Sequence, residues 1–141
     1  MATYNKFNAF VEAVAEKVHN LGSDTLKVYL SNTTPNASTM SVKADLAEIS
    51  AGNGYTAGGN IATQTSSSQS AGVYKLVLAD PATWTATGGS IGPFRYAVLY
   101  NDTSASDNLI AWWDYGTSIT LGAGDTFSVD FDPSTGVLTI Q

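Results

Sequence analysis

The chain has 141 residues, a formal net charge of −6 and no cysteine. Disulfides, thiol catalysis and cysteine zinc sites are thereby excluded, and six scattered basic residues argue against binding to nucleic acid or to anionic lipid. Charged residues make up 13%, about half the usual share of a globular domain, so solubility rests on Ser, Thr, Asn and Gly. The length suits a single domain, 1–141.

The opening MATYNKFNAF lacks a basic stretch followed by a long apolar core, so no signal peptide is expected. No apolar run reaches the ~20 residues of a membrane span, and no membrane partner is expected. Phe7, Phe10, Val11, Val14, Val18 and Leu21 follow the spacing of one helical stripe. This predicts an amphipathic helix over 4–21, with Thr3 as N-cap and Gly22 past its end. Its apolar face lies either on its own sheet or on a neighbouring subunit.

DTLKVYLSN alternates, with Leu26, Val28 and Leu30 on one face, and reads as a half-buried strand. SVKADLAEI predicts a short helix. Residues 49–74 carry no charge and few anchors, Tyr55 and Ile61 among them. Two readings compete for this segment: a mobile Gly/Ser-rich loop, or extended strand ordered against a neighbour. From 73 to 141 the pattern is antiparallel strand throughout: GVYKLVLA, FRYAVLY, LIAWWDY, TSITL, TFSVDFD and GVLTI, separated by turn sequences. The fold class is therefore mainly β with one N-terminal helix, an antiparallel β-sandwich or flattened barrel.

FRYAVLY and LIAWWDY, joined by a polar loop, predict a hairpin. A symmetric register pairs Tyr100 with Leu109, Val98 with Ala111, Tyr96 with Trp113 and Phe94 with Tyr115. The other face then pairs Leu99 with Ile110, Ala97 with Trp112 and Arg95 with Asp114. Trp113 is expected in the core; Trp112 is expected on a mixed face beside an Arg95–Asp114 ion pair, with Arg95 over its ring. A bulge would exchange the faces. Phe127, Val129 and Phe131 are expected inward, and DPSTG is expected to turn the chain into a last strand beside them.

Chemistry is sparse. The lone histidine, His19, reads as a solvated residue near a helix C-terminus, and no GxSxG elbow accompanies it. Asp130 and Asp132 lack the remaining ligands of a calcium loop, and AGNGYTAGG lacks the Lys-Ser/Thr of a phosphate loop. No enzyme, cofactor or metal is expected. Carbohydrate binding through Trp84, Trp112 or Tyr115 competes with the reading that these aromatics are core or protein-interface anchors.

The stretches YNKFNAFVEAVAEKVHNLGSDTLKVYLSN, YKLVLADPATW, GGSIGPFRYAVLYNDT and LIAWWDYGTSITLGAGDTFSVDFD resemble a group of small virion structural proteins of tailed bacteriophages. The likeness runs over most of the chain and is closest to a capsid decoration, or cement, protein. It implies a role and no site residues: a homo-oligomer, a trimer foremost, bound to the major capsid protein on the outer virion surface and made in the host cytoplasm. The expected contact residues are Phe7, Phe10, Tyr55, Ile61, Arg95, Trp112 and Asp114. Two alternatives are a tail-fibre or tail-tip module binding host glycans and a tail tube or connector subunit.

Overall fold

The computed structural model describes residues 2–141. The chain is mainly β, in antiparallel sheets with one short helix near its start, and its layers form a β-sandwich-like fold. The strands are β1 (Tyr4–Lys6), β2 (Leu26–Ser31), β3 (Asn60–Ile61), β4 (Gln64–Ser70), β5 (Val73–Leu78), β6 (Trp84–Thr85), β7 (Ile91–Asn101), β8 (Leu109–Leu121), β9 (Thr126–Phe127) and β10 (Leu138–Ile140). The helix α1 spans Ala9–Ala15. A five-stranded sheet runs β1-β8-β7-β2-β3; a three-stranded sheet β10-β5-β4 and the pair β6-β9 complete the architecture.

Both faces of the large sheet are buried. Leu26, Val28 and Leu30 of β2, with Ala97 and Leu99 of β7, point into the main core. There they meet Leu76, Leu78, Trp84, Phe131 and Leu138 from the smaller sheets and the segment before β10. Tyr29, Tyr96, Val98, Tyr100 and Leu109 point the opposite way into a second cluster, closed by Phe7 and Leu46. The expectation of a half-buried β2 is corrected here: the alternation is real, but both faces are covered.

The second cluster is capped by the loop after β2. The Tyr29 hydroxyl donates to the Leu46 carbonyl (2.9 Å) and Ser31 Oγ to that of Ala47 (2.6 Å). Glu48 accepts from the Tyr55 hydroxyl (2.7 Å), from Gly58 N (2.6 Å) and from Lys43 Nζ (2.6 Å). Lys43 also lies over the Tyr29 ring, 5.1 Å from its centroid. Within residues 49–74, β3 pairs with β2 and β4 with β5, and the two form the outer edges of their sheets. Gly59 is required here: with φ at +71°, a Cβ would sit 1.9 Å from the Val28 carbonyl oxygen.

Four further expectations need correction. The helix over 4–21 shrinks to Ala9–Ala15, because 4–6 pair with β8 as a strand. Lys17, at φ +65°, ends it with the Val18 N to Ala13 O (2.8 Å) and Lys17 N to Val14 O (3.3 Å) bonds of a Schellman turn. The stripe is therefore composite: Phe7 comes from the strand exit, Phe10 from the helix and Leu21 from the following loop, while Val11 (54%) and Val18 (38%) are exposed. SVKADLAEI holds only a 3-10 turn, Lys43–Asp45, whose entry is fixed by Asp45 accepting from Ser41 N (2.9 Å) and Val42 N (3.1 Å). The last two strands do not pair with each other: β9 joins β6, and β10 joins β5. Phe127, Val129 and Phe131 nevertheless all pack on the main core, as their alternation predicts.

The β7–β8 register is the fourth correction. Tyr100 pairs with Leu109, but Leu99 pairs with Ala111, Val98 with Trp112, Ala97 with Trp113 and Tyr96 with Asp114. Ile110 is the extra residue of a bulge, and both Ile110 and Ala111 enter the main core. Every later residue of β8 changes face. Trp112 turns to the second cluster beside Tyr96 and Val98, and Trp113 packs against the main core on the Ala97 side.

If helix and strand divide as described, Phe7 and Val11 differ sharply in weight. Phe7→Ala should lower the unfolding free energy by about 3–5 kcal/mol, whereas Val11→Ala should change it by less than about 0.5 kcal/mol. Urea unfolding followed by tryptophan fluorescence measures both; comparable losses would restore the continuous helix.

Candidate functional site

The seven expected contact residues separate into four groups. Phe7 (0% exposed), Phe10 (4%) and Tyr55 (2%) are core side chains and present no surface to a partner. Trp112 is half-buried under Phe7, their ring centroids 4.5 Å apart, so its own chain covers it. Ile61 is exposed on the edge strand β3. Arg95 and Asp114 do meet: Nε donates to Oδ1 at 2.7 Å and Nη2 to Oδ2 at 2.9 Å. Arg95 lies near the Tyr96 ring, 5.5 Å from its centroid, where Trp112 was expected. Hydrogen bonds from Arg95 and from Gly116 N hold the Asp114 carboxyl below its usual range.

That ion pair marks the rim of a groove of about 420 Å³. Its walls come from Tyr4 on β1, Arg95 on β7, Trp113 and Tyr115 on β8, and the segment 127–137. The groove exists because β8 swells here. Between the Phe94–Ile119 and Tyr96–Asp114 pairs, Arg95 alone stands opposite residues 115–118. Gly116, at φ +100°, allows the excursion, and Tyr115 is carried outward to 55% exposure. Its ring stays anchored edge-on to Phe127 (5.8 Å, 73°), which in turn meets Phe94 (4.9 Å) in the core. Trp113 forms the inner wall between Tyr4 (5.9 Å) and Phe131 (5.3 Å).

Polar groups around the groove fall into two classes. Asp132 is consumed locally: its oxygens accept from Ser134 N (2.8 Å), Ser134 Oγ (2.7 Å) and Thr135 Oγ1 (2.9 Å), which pull its pKa down to about 2. Ser128 bonds Thr83 across 2.8 Å. By contrast, Arg95 Nη1, the Asp130 carboxylate and the Tyr4 and Tyr115 hydroxyls make no hydrogen bond among the described residues. Burial raises the Tyr4 hydroxyl to a pKa of about 12, so it keeps its proton at neutral pH.

Of the three sugar candidates, only Tyr115 stands open. Trp84 is buried (1%) and Trp112 faces away. Trp113, Tyr4 and Asp130 were missed as site residues. The bulge concealed the first, the composite stripe hid the second, and Asp130 was weighed as a metal ligand.

A second recess, of about 540 Å³, surrounds His19, Asp24, Thr103 and Ser104. The solvated helix histidine is corrected: His19 lies beyond the helix, is 7% exposed and packs on Phe10 with centroids 5.3 Å apart. Asn101 Nδ2 lies 3.0 Å from His19 Nδ1 and donates to Asp24 Oδ2 at 2.6 Å. Asn101 Oδ1 accepts from Thr103 N (2.9 Å) and Ser104 N (3.2 Å), which fixes the amide and makes Nδ1 the acceptor. The proton therefore sits on Nε2, which is buried and has no hydrogen-bond partner among the described residues. Among the described residues, no group of three His, Cys, Asp or Glu side chains could hold a metal ion.

No protein family, curated protein or solved structure matches the chain.

Burial lowers the His19 pKa, against the opposing pull of Asp24. A histidine depressed in the fold stabilises fully above its unfolded value of about 6.5 and loses that contribution as pH falls toward its folded value. The thermal midpoint should therefore drop as pH is lowered from about 7.5 to 5, and His19→Gln should flatten that window. A midpoint rising on acidification would reverse the assignment.

Proposed function

We propose that the chain is a non-enzymatic structural subunit of a tailed-phage virion, a decoration protein on the outer capsid surface that bridges neighbouring capsomers. The resemblance over most of the sequence suggests the setting, and one structural observation carries the reading. Strand β4, Gln64-Thr-Ser-Ser-Ser-Gln-Ser70, is a seven-residue sheet edge without a charge. Soluble proteins protect such edges with Lys, Pro or bulges. Here the register shift lies between Gln64 and Ser66; from Ser66 to Ser70 the strand is regular. Such an edge is a template for a strand of another chain, where backbone hydrogen bonds give affinity without an apolar patch. Non-obligate interfaces are about as apolar as other surface, which suits this uncharged, Ser-rich edge. The non-enzymatic reading draws support from His19, whose Nδ1 is occupied by Asn101 and whose Nε2 is buried.

Copy number separates this reading from its two alternatives. Quantitative mass spectrometry of purified virions should give a number that scales with capsomers. A handful of copies would indicate a tail-fibre or tail-tip module, and a ring's worth a tube or connector. Ser66→Lys with Ser68→Lys should leave the thermal midpoint nearly unchanged and abolish rebinding to stripped heads; full rebinding would remove β4 as the contact.

A further inference from the structure

We infer that the groove between Tyr4, Trp113, Tyr115 and Asp130 is a binding site for a neutral pyranose sugar. Three observations converge there. The first is an aromatic surface held ready: Tyr115 is 55% exposed yet pinned by Phe127, and Trp113 is wedged between Tyr4 and Phe131. Rings fixed in advance lose little conformational freedom on binding, so their contact area is retained as affinity. The apolar C–H face of a pyranose matches such a flat ring.

The second is the set of open polar groups. Arg95 Nη1 donates only, the Asp130 carboxylate accepts only, and the Tyr4 and Tyr115 hydroxyls do both. Vicinal sugar hydroxyls each need a donor and an acceptor at once. An apolar ligand would leave these groups unpaired, at a cost in affinity. Arg95 is already oriented by its two bonds to Asp114, which directs the remaining edge of the guanidinium without further ordering.

The third is charge. Asp130 and Asp132 line the groove, and the one lining cation among the described residues, Arg95, is already paired with Asp114, so the local balance is negative. Uronic acids, sialic acids and phosphates are repelled, and a neutral hexose is not. The volume of about 420 Å³ is in the range of small-ligand pockets and gives room for about two sugar rings. This inference does not depend on where in the virion the chain resides.

The test uses the full chain, followed by tryptophan fluorescence and backbone-amide NMR. It is titrated with maltose, cellobiose, lactose and chitobiose, with glucuronic acid and sialyllactose as acidic comparators. At least one neutral disaccharide should bind saturably and shift the amides of Tyr4, Trp113, Tyr115 and Asp130. Tyr115→Ala, a surface substitution, should weaken that binding about tenfold. Asp130→Ala should also weaken it, and Ile61→Ser, on a distant exposed edge, should leave it unchanged. Absence of saturation by any neutral disaccharide up to about 50 mM would overturn the assignment. So would tighter binding of the acidic comparators, affinity unaltered by Tyr115→Ala, or concentration-dependent self-association that Tyr115→Ala abolishes.

Discussion

The structure is organised by a central sheet that cannot leave either face to water. Tyr29, Val98, Tyr100 and Leu109 on one side are as thoroughly buried as Val28, Leu30 and Leu99 on the other. A two-faced apolar sheet requires two covers. The smaller sheets provide one, with Leu76, Leu78, Trp84 and Leu138. The other is a loop rather than a layer of regular structure, and a loop must place its backbone polar groups somewhere. The Tyr29 and Ser31 hydroxyls take the Leu46 and Ala47 carbonyls, and Glu48 gathers Lys43, Tyr55 and Gly58. Two of the chain's few charges, Lys43 and Glu48, are used to order this loop.

Ile110 decides what the two neighbouring tryptophans do. Side chains on a strand alternate strictly, so one inserted residue exchanges the faces of all that follow. Trp112 is thereby turned under Phe7 and becomes part of the second cover, and Trp113 becomes the inner wall of the groove. The wider swelling at 115–118 then lifts Tyr115 out of the sheet. Two irregularities in one strand, a few residues apart, produce both the sealed face and the open one.

Much of this was legible in the sequence where burial and side-chain period coincide. The β-rich fold, the alternation of Leu26, Val28 and Leu30, and the inward row Phe127, Val129, Phe131 follow from the two-residue repeat. The Arg95–Asp114 pair was found, although the register that led to it was one residue out, because a long guanidinium tolerates a diagonal approach. What escaped has a common cause. Helical spacing at Phe7, Phe10, Val14 and Leu21 arose from three different conformations, with Phe7 in the second cluster and the others on the main core, and no local pattern distinguishes that from a single helix. Lys17 in a left-handed conformation gives no warning of a helix end, as glycine would. Bulges depend on pairing across strands, and His19 was read as solvated because its burying partner, Asn101, is distant in sequence. The groove inherited these difficulties, since its walls come from four separated stretches. Tyr115 alone among its aromatics was named a sugar candidate in advance.

The pairing of Tyr4 with Trp113 has a consequence in time. During synthesis, β1 emerges more than a hundred residues ahead of the strand it joins. Phe7, which seals the second cluster, waits with it, because its own backbone N–H bonds the Ile110 carbonyl. The β1–β8 and β8–β7 pairings can therefore form only after the ribosome has delivered β8, and the early segment must remain unpaired in the interval. Folding so dominated by distant pairings is slow for its size. A nascent chain stalled before residue 109 exposes Phe7, Phe10 and the apolar faces of β2 together, the state in which a chaperone has most to hold.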